Sequence, residues 1–463
     1  MPNFFAFLVF WTWPLVVFWL IKTRQPMQAI LIATVCSMLL LPAAFLVDLP
    51  LLPPLDKNTI TSMSLALFLI LSGKKFKIMP PGPATQLLFA YFLILLISSE
   101  LNDQPVIYPR RFLPALTHYD AFSSIIRTLL LMMPFFLGRF FLNNIKDNEY
   151  IFKFMVTTSL IYTAPMLIEV LISPQLHRMT YGYHASDFIQ QMRGSSFRPA
   201  VFFGHGLPLA FWFSSCFCTA VALKHNKIRF IKAPQIVGIA FLVFMLFLTN
   251  TWSAMIYAGI GFLLITRFKP EKQIKWSIIM ALIVLVYPVS KVMNIFPERE
   301  IISYIQKYSM DRADSMNTRF VNEEALLQRA MEKPLFGWGG WGRNRVFSKE
   351  DGKDLSITDG QWAIEIGETG ILGFLIYYAI LFTPLFYANK AVRYVKDSKE
   401  KVYLACLAVI LSFGIVDSVP NTGMTSLHLL LAGALLGQAE AILKANKAIL
   451  KLEKIKNFEE LPT

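Results

Sequence analysis

Residues 317–374 read NTRFVNEEALLQRAMEKPLFGWGGWGRNRVFSKEDGKDLSITDGQWAIEIGETGILGF. The stretch opens with an amphipathic run in which Phe320, Leu327, Ala330 and Met331 recur at helical spacing. Pro334 ends that run, because proline lacks the amide a helix interior needs. A glycine–tryptophan turn and a polar loop follow, and Thr358-Asp359 offers a cap to an apolar helix starting near Gln361. Residues 296–360 carry dense charge of both signs, whereas almost everywhere else apolar runs of membrane length are joined by short loops. A membrane chain that sets its one sizeable polar domain directly against a membrane helix is expected to do its chemistry there.

With 55% hydrophobic residues, 16% charged residues and a mean hydropathy of +0.51, the chain is excluded from the soluble classes. The apolar runs are continuous and do not alternate, so the spans are helices and not barrel strands. Spans are expected at 4–21, 27–47, 60–71, 86–98, 121–141, 151–172 and 199–223, then at 236–248, 252–265 and 276–293, and last at 361–387, 402–419 and 426–443. The pair flanking Asn250 also reads as one tight hairpin. The expected fold is therefore all-α, a polytopic bundle of about 12–13 transmembrane helices with one large external loop domain. Its divisions are 1–294 for the first spans, 295–360 for the loop domain, 361–443 for the last spans and 444–463 for a basic amphipathic tail. We read no internal repeat and no low-complexity segment.

The net charge of +14 is a matter of orientation and does not point to nucleic acid. Lys22 and Arg24, Lys74, Lys75 and Lys77, Arg139 and Lys146, and Lys224, Lys227, Arg229 and Lys232 fall on one side of the spans. Arg267 to Lys275, Lys390 to Lys401 and the tail from Lys444 fall on the same side, which the positive-inside rule makes the cytoplasm. The amino terminus and residues 317–360 then lie outside. The first apolar run has neither a basic n-region nor a small-residue cleavage site and reads as a retained span. Cys36, Cys216, Cys218 and Cys406 sit within spans and suggest neither a disulfide framework nor a zinc site.

Basic residues in external loops stand out against that rule. Arg178, Arg193 and Arg198 lie between the sixth and seventh spans, with Arg198 at the mouth of the seventh. A guanidinium there is a planar fork suited to phosphate or carboxylate oxygens, or an interface anchor paired with Asp187 or Glu169. Arg319 near a helix start is disfavoured by the macrodipole unless an anion sits close, although Glu323 one turn on offers a simple surface pair. Arg127 is the one clear basic charge well inside a span. Among acids, Glu365 and Glu368 share a face of an apolar helix, where each needs a partner or water. Asp359 is a helix cap or a base, and Asp417 a satisfied polar residue near a span end. His205 reads as a hydrogen-bonded core histidine. Gly337 to Gly342 formally matches a dinucleotide-binding pattern, but no strand precedes it and no helix opens from it. Its glycines allow a tight turn, and Trp338 and Trp341 read as interface anchors before sugar-stacking platforms.

The order of FRPAVFFGHGLPLAF (197–211), ALLQRAMEKPLFGWGGWGRNRVF (325–347) and TDGQWAIEIGETGILGF (358–374) resembles the O-antigen ligase and polymerase superfamily of bacterial envelope proteins. Within it the chain looks most like the exopolysaccharide or O-antigen repeat-unit polymerases, over roughly residues 121–384. The resemblance implies a metal-independent glycosyltransferase of the inner membrane, without cofactor, active on the periplasmic face. It implies as partners an undecaprenyl-diphosphate-linked oligosaccharide, an acceptor glycan, the bilayer, and a chain-length regulator and a flippase. Arg198 and Arg319 match the arginines that hold the diphosphate, with Arg193 a further substrate-binding candidate. Asp359 stands where the ligases place a catalytic histidine, which argues for a polymerase and leaves Asp359 and Glu368 as candidate bases. The other readings are a ligase that moves finished glycan to lipid A-core or protein, and a transporter or flippase of lipid-linked sugars.

Overall fold

The computed structural model describes residues 1–49, 53–73, 77–193 and 196–459. Lys74 and Lys75 of the second basic loop, the side chain of Arg193 and the last tail residues lie outside the described part. Of the described residues 71% are helical. Its first helices are α1 (Phe4–Thr23), α2 (Pro26–Leu40), α3 (Lys57–Leu71), α4 (Pro83–Glu100), α5 (His118–Phe141) and α6 (Asn148–Ile172). Next come α7 (Leu176–Tyr181), α8 (Gly206–His225), α9 (Gln235–Leu248), α10 (Trp252–Arg267), α11 (Pro270–Ala281) and α12 (Ile283–Val292). The polar region holds α13 (Glu298–Gln306) and α14 (Met310–Met331), and α15 (Gln361–Ala391), α16 (Ser398–Asp417) and α17 (Ser426–Glu459) complete the bundle. Two minimal hairpins, β1 (Val106–Tyr108) with β2 (Arg111–Leu113) and β3 (Met192–Arg193) with β4 (Ser196–Phe197), are the only paired strands among the described residues.

Eight helical segments of the described chain are long and apolar enough to cross a membrane, and α2, α3, α9 and α10 are shorter apolar helices. The expected tight hairpin around Asn250 is two helices joined by a three-residue turn, with Asn250 at φ 51°. The seventh span starts at Gly206 and not at Pro199, because residues 199–205 form a turn instead of helix. The basic tail does not begin as a separate helix, since α17 runs unbroken past residue 443.

Lipid tails supply no hydrophobic drive between helices, so close backbone approach must hold them. The crossing of α5 and α17 shows this directly. A Cβ added at Gly433 would stand 1.8 Å from the Phe135 carbonyl oxygen, and one at Gly437 would stand 2.1 Å from that of Arg139. Arg139 then locks the same end of the bundle. Its buried fork donates to both Glu440 oxygens at 2.8 and 2.7 Å and to the carbonyls of Pro80 and Pro81, each at 2.9 Å. A buried ion pair is tolerable only when its hydrogens are used in this way.

At the opposite end α14 lies on the bundle. Ala313, Phe320, Glu323, Leu327 and Ala330 are buried at spacings of three, four and seven residues, which makes one face of the helix. Glu323 is therefore not the surface partner of Arg319. It accepts a 2.6 Å hydrogen bond from Tyr287 and lies 3.8 Å from the buried Lys291 ammonium, which also pairs with Glu298.

The helix that follows is interrupted. Gly370 sits inside α15 at φ 71° and ψ −175°, a break that the apolar sequence does not announce. Free backbone groups at membrane depth must find partners, and the segment after Pro334 supplies them. Ile371 and Leu372 donate to the carbonyls of Pro334 and Leu335, and the Gly367 and Glu368 carbonyls accept from Trp338 and Gly339 at 2.8 and 2.9 Å. A Cβ at Gly370 would come within 2.2 Å of the Leu335 backbone, so only glycine fits. The PLFGWGG run is thus a wedge seated in a broken membrane helix.

Candidate active site

Between this wedge and the surrounding helices lies a cavity of about 1120 Å³. Apolar residues such as Leu88, Leu131, Phe203 and Leu429 form much of its wall, and charged residues converge on the remainder. Arg319 reaches it from α14 and Asp359 from the residue before the α15 cap, with Arg319 Nε 3.4 Å from Asp359 Oδ2. Both side chains keep contact with solvent, at 27% and 41% exposure, so a ligand can reach either one. Asp359 is not the expected cap. Gly360 occupies the N-cap of α15 and makes no side-chain cap hydrogen bond, which leaves the Asp359 carboxylate to face Arg319.

Glu365 and Glu368 both reach the cavity, as their three-residue spacing suggests, but they differ in how they are held. Glu365 is buried and accepts from Tyr91 at 2.7 Å, from Gln361 at 2.8 Å and from Thr369 at 3.4 Å. Its oxygens are committed. Glu368 is half-buried and its carboxylate accepts no hydrogen bond among the described residues, while Arg127 and Arg345 act on it through charge alone. Asp417 adds a fourth acid to the wall, bonded by Tyr257 and Asn421 and attracted by Arg319.

His205 is not a core histidine. It is the N-cap of α8, with Nδ1 accepting from the Leu207 amide at 3.2 Å, and it lines the cavity. Arg198 does not line it. That residue is buried beneath the start of α8, where a Cβ at Gly206 would meet its Cγ and Cδ at 2.2 Å. Arg319, Asp359, Glu365 and Glu368 are thus brought together, and Arg198 stands apart from them. Arg178 is exposed on α7.

The two tryptophans of the turn have separate fates. Trp338 is no interface anchor: it is buried with Arg329 3.3 Å and Lys333 4.6 Å from its ring centre, and its Nε1 donates to the Arg329 carbonyl at 2.8 Å. Trp341 is on the cavity wall. Neighbouring Arg343 is buried and fastens the wedge to the β1–β2 region by donating to the Pro114 and Gln104 carbonyls at 2.6 and 2.8 Å. Arg345 pairs with Asp354 and donates to Thr358 at 3.3 Å, steadying the approach to Asp359.

Sequence reasoning gave Tyr91 and Gln361 no role in the site. Arg127 carried a signal, since an ionisable group within a span marks a functional site by default, but nothing in the sequence tied it to Glu368 in a distant helix. Among the described residues no three His, Cys, Asp or Glu side chains are gathered as a metal ion would require.

Residues 237–378 match the family model described as O-antigen ligase. That match supports the O-antigen ligase/polymerase superfamily. It covers less than half of the chain, and within it lie Arg319, Asp359, Glu365 and Glu368, whereas Arg193 and Arg198 precede it. Members of this family are glycosyltransferase-like ligases and polymerases. A search of curated proteins found no match to the chain. The O-antigen ligase-like segment thus brings most of the charged wall, while α4, α5 and α8 outside or ahead of it close the cavity.

Proposed function

We propose that this protein is a membrane glycosyltransferase that polymerises undecaprenyl-diphosphate-linked repeat units into O-antigen or exopolysaccharide. The observation that carries the reading is the Arg319–Asp359 pair on the wall of a cavity large enough for a glycan. The Arg319 guanidinium takes the diphosphate of the donor, and Arg127, which also lines the cavity, adds positive charge. An acceptor hydroxyl attacks the anomeric carbon as the bond from that carbon to the diphosphate oxygen breaks. The carrier diphosphate leaves with the bonding electron pair, and the hydroxyl proton passes to Asp359 as general base. Diphosphate binding weakens the hold of Arg319 on Asp359 and so frees the carboxylate for that proton. The sugar arrives activated, so the chemistry needs no nucleotide. Glu368 remains the second candidate base, and its open carboxylate suits an acceptor hydroxyl.

The basic loops support an inner-membrane protein whose cavity end faces the periplasm. A flippase would deliver the donor there, and a chain-length regulator would be the partner. The acid at position 359, where the ligases it resembles carry histidine, favours polymerase over ligase. Deleting the gene in the source bacterium separates these readings: a polymerase mutant shows single repeat units on the normal acceptor. A bare acceptor with finished polymer retained on carrier lipid would contradict the proposal and indicate a ligase.

A further inference from the structure

Trp341 is built at odds with ordinary backbone preference. Its φ is 63°, in the left-handed region, where an L-residue other than glycine costs about 1–2 kcal/mol. Glycines at 339 and 342 take the same region at φ 74° and 75° without that cost. Strain of this kind persists where a site requires it. Here the strain secures no polar or ring partner: the indole makes no hydrogen bond, ring contact or cation–π contact among the described residues, and the residue is 52% exposed on the cavity wall. Trp338, three residues earlier, is its internal control. That indole is buried, with cations against its ring and its N–H bonded.

The chain position before Trp341 is also open. A Cβ added at Gly340 would meet nothing within 4 Å, although a Cβ at Gly339 would strike Leu116 at 2.3 Å. The turn thus closes on its Leu116 side at Gly339 and stays open at Gly340. Arg127 and Glu368, whose carboxylate accepts no hydrogen bond among the described residues, line the same cavity. An apolar π face in a cavity that also holds hydroxyl-binding groups fits a pyranose ring, whose C–H face is apolar and whose rim is polar.

We infer that Trp341, with the open space over Gly340, is the sugar-stacking subsite of the cavity, and that it holds a ring of the glycan while Glu368 and Arg127 take its hydroxyls. The inference rests on the glycosyltransferase reading for the identity of the glycan, but not on which carboxylate is the base.

The test uses full-length protein in detergent with its Trp residues replaced by 5-fluorotryptophan, and the probe is the repeat-unit oligosaccharide freed from carrier lipid by mild acid. The ¹⁹F signal missing from Trp341→Phe belongs to Trp341 and should move on titration, while the Trp338 signal stays. In parallel, elongation of lipid-linked repeat units should show KM raised about tenfold in Trp341→Ala with kcat changed far less, as loss of one stacking contact requires. Trp341→Phe should keep KM within about threefold, since a ring remains. Gly340→Leu, which keeps the indole and fills the open space, should raise KM like Trp341→Ala. A Trp341 signal that does not move while the wild type elongates, or a wild-type KM in both Trp341→Ala and Gly340→Leu, overturns the subsite alone. A signal that moves in a protein unable to elongate supports the subsite and contradicts the polymerase. Neither movement nor elongation contradicts both.

Discussion

Arg319 and Asp359 face each other at 3.4 Å, both partly open to the cavity, and neither is needed to cap α15. Arg319→Ala should abolish polymer, and Arg319→Lys should restore little, because a point-charge ammonium cannot reproduce a bidentate fork on a diphosphate. Arg178→Ala, at an exposed position of α7, should leave polymer at wild-type amounts in the same gel assay. With no cap to preserve, Asp359→Asn and Asp359→Ala should fall together, by about a hundredfold or more in kcat, as loss of a general base does. Wild-type turnover by Asp359→Asn would pass the base to Glu368. The candidates on this wall were legible because arginine in an external loop and acid on an apolar helix are costly placements. Asp359 was legible only as an alternative. A cap and a base share one sequence signature, and the position of Gly360 speaks only against the cap. Arg198 is not at the mouth of a span as expected: the residues after it turn instead of continuing the span, so its side chain lies under α8 and outside the cavity lining.

Among the elements, the wedge and the broken helix decide the shape of the site. Gly370→Ala forces a Cβ into left-handed backbone and within 2.2 Å of Leu335, so it should lower the Tm of purified protein and remove turnover together. Retained Tm and turnover would show that the break is dispensable. α14 carries a pH signal through Glu323. Burial raises that carboxyl above its ordinary 4.5, against the Tyr287 hydrogen bond and the charge of Lys291. The folded protein therefore keeps this proton longer than the unfolded one. Its contribution is fully present below 4.5 and lost as pH rises through the folded value. Glu323→Gln should flatten the fall of Tm across that window, and an unchanged Tm profile would count against the assignment. The amphipathic face of α14 was legible from its period, whereas the interruption of α15 was not. An apolar helix with a glycine looks like any other until a wedge from elsewhere supplies its hydrogen bonds.

At the scale of the molecule, the bundle was legible from composition and run length alone, because in lipid a continuous apolar run has few structures open to it. The cavity was not, since Arg127 in α5, Arg319 in α14 and Glu368 in α15 meet only through tertiary packing. Its orientation is open to a direct check. Reporters at Lys227 and Lys396 should be active only as cytoplasmic fusions, and those at Ser348 and the amino terminus only as external ones. A cytoplasmic Ser348 would place the cavity on the wrong face for a flipped donor. The central claim is that this cavity joins one lipid-linked repeat unit to another, and the most direct measurement gives purified, reconstituted protein nothing but those units. The account predicts a ladder of longer chains on the carrier lipid with release of undecaprenyl diphosphate, absent in Arg319→Ala. Unextended donor in that mixture, with transfer appearing only once lipid A-core is added, would contradict it.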